Sequence, residues 1–288
     1  MIDWKRIAER LGVNTEPEVT SVTGGDINRA FRLDLGAESY FVKVNLAALE
    51  PMFSAERYGL EAMRLTGAVR VPQVYLCGTE GEFSFLVLEY IELEGQPTPL
   101  KLAEGLAAMH AATDERYGFV CDNTIGSNPQ PNPRSDDWVA FWREHRLGVQ
   151  LNLALDNGLD ARMVERGQAL AEDLAPFFDD YRPRASLLHG DLWSGNRAAD
   201  SEGNPVLYDP ACYYGDHEAD LAMMELFGSP EEAFFDAYGE RFPIHDGYPL
   251  RRDLYNLYHV LNHANLFGGG YVHQAGQYID RLLARIRG

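Results

Sequence analysis

Asp191, Asn196 and Asp209 are the residues of this sequence whose types and spacing best suit chemistry. They lie in His189-Gly190-Asp191-Leu192-Trp193-Ser194-Gly195-Asn196 and, shortly after, in Tyr208-Asp209-Pro210. A carboxylate, an amide five positions on and a second carboxylate beyond a short turn are the groups that phosphoryl transfer requires. That reaction depends on positioning and charge neutralisation rather than on covalent work by the protein. On this reading Asp191 accepts the proton of an attacking hydroxyl, and Asn196 and Asp209 hold Mg2+ on the phosphates of ATP. Magnesium favours one or two carboxylates together with phosphate oxygens and water.

These groups need elements to position them. Arg197 to Leu207 reads as a tight hairpin, with turn residues Asp200-Ser201-Glu202-Gly203-Asn204. It would fold Asp209 back beside Asn196, and Gly195 allows close backbone packing. A second positioning pair lies upstream. In Tyr40-Phe41-Val42-Lys43-Val44-Asn45 the alternation puts Lys43 on the face opposite Val42 and Val44. Pro51 to Thr66 reads as a helix, with Phe53, Glu56, Leu60 and Met63 on one face. Glu56 is thus a carboxylate in an apolar stripe and needs a cation. Lys43 supplies one, as in kinase-like nucleotide sites.

Around this pair the sequence predicts a small lobe. Residues 2 to 11 form an amphipathic helix. Strands are expected at 19–22, 30–35, 40–45, 71–76 and 83–89. Thr23-Gly24-Gly25-Asp26-Ile27-Asn28 is a hairpin loop that could cover phosphates through Gly24 and Gly25. Glu89, Tyr90 and Ile91 form the expected hinge, with backbone groups open to the adenine edge. Residues 92 to 99 read as a linker.

From Pro99 onward the pattern turns helical. Leu102, Ala103, Leu106 and Met109 make a core stripe, with His110 packed beside them. Residues 121 to 134, with Pro129, Pro131 and Pro133, read as a long loop. Helices follow around Trp138 to Leu147 and over 161–178. Another spans 220–227, and the last part from Arg251 is helical with a break at Phe267 to Tyr271. Asp220 is expected to bond back to the loop carrying Asp191. The fold class is α+β in two lobes: residues 1–91 with a five-stranded antiparallel sheet and one helix, and residues 92–288, mainly helical.

Composition narrows the function classes. The 288 residues carry 44 acidic against 25 Lys and Arg side chains, a formal charge of −19. Such a chain repels nucleic acid and anionic membranes. It has no apolar run of membrane-spanning length and begins without a secretory leader pattern. Cys77, Cys121 and Cys212 are odd in number and far apart, as expected of reduced thiols in the cytoplasm.

The chain resembles the fructosamine kinase (ketosamine-3-kinase) family of the aminoglycoside phosphotransferase-like, protein-kinase-like fold. Phe41 to Asn45, Met52-Phe53 with Glu56, Tyr117-Gly118-Phe119 with Ile125-Gly126, and Asp137-Trp138 carry the resemblance. It continues through His189 to Asn196, Asp209-Pro210 to Gly215-Asp216, Glu218 with Asp220-Leu221-Ala222, and His263 to Gly269. Trp193 is its most specific element. Protein kinases carry Lys in that place and Arg where this chain has Gly190.

The resemblance implies ATP-dependent phosphorylation of the 3-hydroxyl of ribulosamine, erythrulosamine or fructosamine adducts, free or protein-bound, which promotes deglycation. It implies Asp191 as base, Asn196 and Asp209 as magnesium ligands, and Lys43 with Glu56 as phosphate anchor. Trp193 and His263 are candidates for the sugar pocket. Asp26 stands where some members have a redox-active cysteine, so no disulfide switch is expected from that loop. A monomer or weak dimer is expected. The alternatives are an aminoglycoside- or choline-type kinase on the same fold, or a nucleotide-binding pseudokinase.

Overall fold

A computed structural model describes residues 2–23 and 27–287. Gly24, Gly25 and Asp26 lie outside the described residues. The smaller lobe opens with helix α1 (Trp4–Arg10), capped by the Asp3 side chain accepting from the Arg6 N–H. Strands β1 (Glu18–Val22), β2 (Arg29–Leu35), β3 (Glu38–Leu46), β4 (Val74–Glu80) and β5 (Phe83–Glu89) form one antiparallel sheet of order β1-β2-β3-β5-β4. Helix α2 (Glu50–Thr66) starts with Pro51 in its first turn and ends on the left-handed Gly67.

The period-two alternation of the strands splits the packing. Val42, Val44, Phe85, Val87 and Leu33 face Ile7 and Ala8 of α1 in a small core of their own. Leu86 and Leu88 face Phe53, Leu60 and Met63 of α2 and join the main core. Lys43, directly opposite Leu86 across the ladder, belongs to this second face. The β4 strand starts three residues later than the sequence predicts. Pro72 lacks the N–H a ladder needs, and a register shift follows between Val74 and Leu76.

The larger lobe runs from α3 (Pro99–His110) through the short strands β6 (Thr113–Asp114), β7 (Asn123–Ile125) and β8 (Asn128–Gln130). Helices α4 (Trp138–Trp142), α5 (Gly148–Asp156) and α6 (Ala161–Glu172) follow, with a wider helical turn, Arg143–Leu147, between the first two. Strands β9 (Ala185–Leu188), β10 (Arg197–Ala199), β11 (Pro205–Leu207) and β12 (Tyr213–Gly215) frame the polar segment. Helices α7 (Glu218–Leu226), α8 (Glu232–Arg241), α9 (Tyr248–Phe267) and α10 (Gly270–Arg287) complete the lobe.

Two sequence expectations are corrected here. Residues 121–134 are not a plain loop, since β7 and β8 pair as a hairpin within them. The helix expected over 161–178 stops at Glu172, and a separate single turn covers Ala175–Phe178. Pro176 restricts Ala175 and cannot donate into a continuing helix. The expected hairpin at 197–207 is present as β10 paired with β11. The linker is tied to it: the Glu94 N–H donates to the Ala199 carbonyl at 2.7 Å, and the Ala199 N–H to the Gly95 carbonyl at 3.1 Å.

Candidate active site

The loop carrying Asp191 is held from below by α7. The buried Asp220 carboxylate accepts from the backbone N–H groups of His189 at 2.7 Å and Gly190 at 2.9 Å. Its second neighbour is His110, whose Nε2 lies 3.2 Å away and whose Nδ1 is 2.7 Å from the Tyr238 hydroxyl. This is the structural role expected of Asp220, and His110 is packed as expected. Despite burial, the His110 hydrogen bond and the Gly190 N–H hold the Asp220 carboxyl below its ordinary range.

His189 joins the two polar segments. Its Nε2 lies 2.9 Å from the Tyr208 carbonyl, an acceptor only, so Nε2 carries the proton. Its Nδ1 then accepts from the Asp191 N–H at 3.2 Å. Burial lowers the imidazole pKa, which keeps this neutral tautomer. The Tyr208 N–H donates to the Asn196 carbonyl at 3.1 Å and the Ala211 N–H to the His189 carbonyl at 2.8 Å. The hairpin thereby returns Asp209 beside Asn196.

Two glycines are dictated by close approach. Gly190 has φ +82°, and a Cβ there would collide with the Ala211 carbonyl oxygen. An arginine, as in protein kinases, cannot occupy this place. A Cβ on Gly195 would collide with the Trp193 indole. Gly195 is thus the seat of the tryptophan ring, a reason the turn chemistry alone did not reveal. Among the described residues Asp209 is the only non-glycine with positive φ, at 56°. Such strain is sustained where the surrounding structure demands a side-chain direction. Here it aims the carboxylate at Lys43.

Lys43 is buried, with Nζ 2.6 Å from Glu56 Oε1 and 2.7 Å from Asp209 Oδ1. Burial alone would lower the lysine pKa, but the Asp209 and Glu56 carboxylates together raise it, so the ammonium persists. Burial pushes the Glu56 carboxyl up against the pull of Lys43. Asp191 is half-buried. Burial pushes its pKa up to about 7, opposed by the Asn196 amide and assisted by the charges of Asp209 and Asp220. A carboxylate so raised suits a general base at neutral pH.

The donor set fits magnesium. Asn196 Nδ2 is committed to Asp191, donating to its carbonyl at 2.9 Å and to Oδ2 at 3.1 Å. Asn196 Oδ1 is therefore the free end. Asp209 gives Oδ1 to Lys43 and keeps Oδ2. Among the described residues no cluster of three or more His, Cys, Asp or Glu forms a self-contained metal cage. Two hard oxygens with room for phosphate and water are what magnesium takes.

One cavity of about 680 Å³ brings together Lys43, Glu56, Asp191, Asn196, Asp209, Trp193 and His263. Ile27 and Asn28, the last residues of the glycine loop, line it too, and Asn45 Nδ2 donates to both the Ile27 carbonyl and Asn28 Oδ1. Glu89, Tyr90 and Ile91 are not among its lining residues. The Glu89 carboxylate accepts from Arg70 at 2.9 Å, and the Arg32 guanidinium sits 4.5 Å from the Tyr90 ring centre.

The cavity also has walls that the sequence reading missed. Thr124 and Ser127 come from the β7–β8 hairpin, and Phe227, Asn262, Phe267 and Tyr271 from the ends of α7, α9 and α10. Aromatic rings run along this wall: Phe227 and His263 centroids are 5.0 Å apart, as are His263 and Tyr271. Trp193, 39% exposed, faces Phe227 edge-on. The hairpin is fixed by the fully buried Arg146, which donates to the Pro131 carbonyl and Asn132 Oδ1 and lies 4.0 Å from the Tyr213 ring centre. The polar, proline-broken run 123–132 was the signal available for this wall. Its composition reads as loop.

Comparison with known proteins gives a consistent picture. A family model described as "Fructosamine kinase" matches residues 4–285. A probable ketoamine kinase of Synechocystis is 44% identical, with 97% of each chain covered. The chloroplastic protein-ribulosamine 3-kinase of Arabidopsis thaliana is 45% identical over 94% of this chain and 84% of its own. The crystal structure of a putative fructosamine-3-kinase from Haemophilus somnus superposes with a TM-score of 0.88 at 28% identity, covering 96% of this chain and 95% of its own. A choline kinase from Streptococcus pneumoniae, at 18% identity and a TM-score of 0.66, shares the two-lobed kinase-like fold.

Proposed function

The chain belongs to the fructosamine kinase family, and from that premise we propose that it phosphorylates the 3-hydroxyl of a ketosamine with ATP. The observation that carries this reading is the gathering of Asp191, Asn196, Asp209 and the Lys43–Glu56 pair around one cavity with an aromatic wall.

Each residue then has a role. Lys43, oriented by Glu56, binds the nucleotide phosphates as a point charge. Asn196 and Asp209 hold magnesium, which neutralises charge on the transferring phosphoryl group when bound. On this reading the adenine edge is assigned to the backbone at Glu89 to Ile91, outside the lining of the described cavity, and the phosphate cover to the glycine loop that ends at Ile27 and Asn28. Asp191 takes the proton of the attacking sugar hydroxyl. Trp193 and His263 pack against the sugar, whose C–H faces suit aromatic rings. The acidic balance of the chain favours an acceptor carrying a protonated amine. Deglycation of amines follows as the biological consequence. A cytoplasmic location belongs to the same reading, supported by three unpaired thiols. Among the described residues no helix is long and apolar enough to cross a membrane.

The test is an ATP-consumption assay with magnesium and ribulose-lysine, fructose-lysine or kanamycin, with the product mapped by NMR. Phosphate on the third carbon of the ketoamine is the expected result. Turnover of kanamycin alone would transfer the chain to the antibiotic-kinase reading. Tight magnesium-ATP binding without any turnover would favour a pseudokinase. In the same assay Asp209→Ala removes both a magnesium ligand and a partner of Lys43. Its affinity for magnesium-ATP is expected to fall by about 10-fold or more, since charge-assisted contacts are worth roughly 1.5–3 kcal/mol. Unchanged affinity would remove Asp209 from the nucleotide site.

A further inference from the structure

We propose that Asn262 binds the acceptor substrate, its Nδ2 donating a hydrogen bond to a hydroxyl or carbonyl oxygen of the sugar. This rests on reading the cavity as the site of acceptor phosphorylation. Asn262 lies on α9, one residue before His263. It is only 3% exposed, yet it lines the cavity.

Its orientation follows from the amides behind it. Asn262 Oδ1 accepts from Asn128 Nδ2 at 2.8 Å and from Gln150 Nε2 at 3.3 Å. Gln150 cannot be reversed, because its Oε1 accepts from Asn265 Nδ2 at 2.8 Å. Asn265 cannot be reversed either, because the same Nδ2 donates to the Gln150 backbone carbonyl at 2.9 Å. An amide oxygen in that place would face a carbonyl oxygen. The chain of amides therefore has one polarity, starting at a backbone carbonyl and ending at Asn262 Oδ1. Side-chain amide orientations are assigned from such networks.

The consequence is a free donor. Asn262 Nδ2 carries two N–H groups, and no acceptor for them is present among the described residues. A flipped Asn262 would set Nδ2 against the Gln150 donor. The amide is also held by three elements at once: the β7–β8 hairpin through Asn128, α5 through Gln150, and its own helix. A pre-oriented donor beside the His263, Phe227 and Tyr271 rings suits a polyhydroxylated chain, with oxygens toward the amide and C–H faces toward the rings. In the same reading the nucleotide phosphates are met elsewhere, by Lys43 and by the magnesium that Asn196 and Asp209 would hold. Asn262 therefore discriminates among acceptors and leaves nucleotide affinity alone.

Asn262→Asp at pH 8 tests this directly. The carboxylate keeps both acceptor contacts, to Asn128 and Gln150, and replaces the free donor with an acceptor. Asn262→Ala removes donor and acceptor together. Equilibrium titrations of magnesium-ATP and of ribulose-lysine are made separately on wild type and both variants. Affinity for ribulose-lysine is expected to weaken by about 10-fold or more in both, with nucleotide affinity within about twofold of wild type. Wild-type affinity for the acceptor in both variants overturns the inference. So does equal loss of nucleotide and acceptor affinity with a lowered thermal midpoint, which would make Asn262 a packing residue. Kanamycin and choline are titrated in parallel. If wild type binds one of these and no ketosamine, the ketosamine reading fails and Asn262 is judged on the ligand that binds. If it binds none of the three, both fall.

Discussion

Asp191→Asn is expected to bind magnesium-ATP as wild type does and to lose turnover by roughly 100- to 10,000-fold, the range for a positioned general base. The substitution is isosteric, and the geometry explains why the loop should survive it. Asn196 Nδ2 donates to Asp191 Oδ2 and to its carbonyl, and an amide oxygen can accept the first of these bonds as a carboxylate does. The backbone is held independently, by Asp220 and by His189 Nδ1. What disappears is the basic lone pair. A second readout separates this from damage to the fold. Burial and the neighbouring charges of Asp209 and Asp220 oppose ionisation of Asp191. Removing the charge relieves that opposition, so the thermal midpoint should stay level or rise. Turnover near the wild-type rate in a stopped-flow or coupled assay would remove Asp191 from the base role. Loss of turnover with a lowered midpoint would point to structure instead.

The parts of this site that were legible in the sequence are those fixed by local spacing. Lys43 alternates with two valines, and Glu56 falls in the stripe of Phe53, Leu60 and Met63. Periods of two and 3.6 therefore aim both side chains at one interior, and they meet at 2.6 Å. The hairpin between Asn196 and Asp209 was legible from its turn residues, and β10 pairs with β11 as that turn requires. The five-stranded sheet and its helix follow from the same alternation.

What stayed hidden depends on partners distant in sequence. β7 and β8 read Asn-Thr-Ile and Asn-Pro-Gln, with little intrinsic strand preference. Side-chain contacts across the fold hold them: Gln130 Nε2 donates to Asn123 Oδ1 and to the Ala211 carbonyl, and the Tyr258 hydroxyl donates to Gln130 Oε1. No window along the chain shows that Gln130 will meet Tyr258. The Asn262 donor was missed for the same reason, since its orientation is settled by Asn128, Gln150 and Asn265 from separate elements. Glu89 is a related case. Its carboxylate is taken by Arg70, a partner that the strand pattern does not disclose.

Asp220→Ala tests whether the loop carrying Asp191 is held as the hydrogen bonds describe. The substitution strips the acceptor from two buried backbone donors, His189 N–H and Gly190 N–H, and from His110. Each orphaned buried donor costs ~1–3 kcal/mol, so the two backbone N–H groups alone account for a loss of ~2–6 kcal/mol, against total stabilities of ~5–15 kcal/mol. Turnover should collapse with it, because Gly190 sets the direction of Asp191, while residual folded protein should still bind nucleotide through Lys43 and Asp209. Hydrogen exchange at the His189 and Gly190 amides is the specific readout, and global unfolding alone would not single them out. Acid provides an independent check. The Asp220 carboxyl is held below its unfolded value of about 3.9. Its stabilisation is fully present above that pH and is lost as pH falls through the folded value. Wild type should therefore lose stability in this window more steeply than Asp220→Asn, which has no carboxyl to protonate there. Equal acid sensitivity in the two proteins, or unaltered exchange at the two amides in Asp220→Ala, would mean that the loop is held by something other than α7.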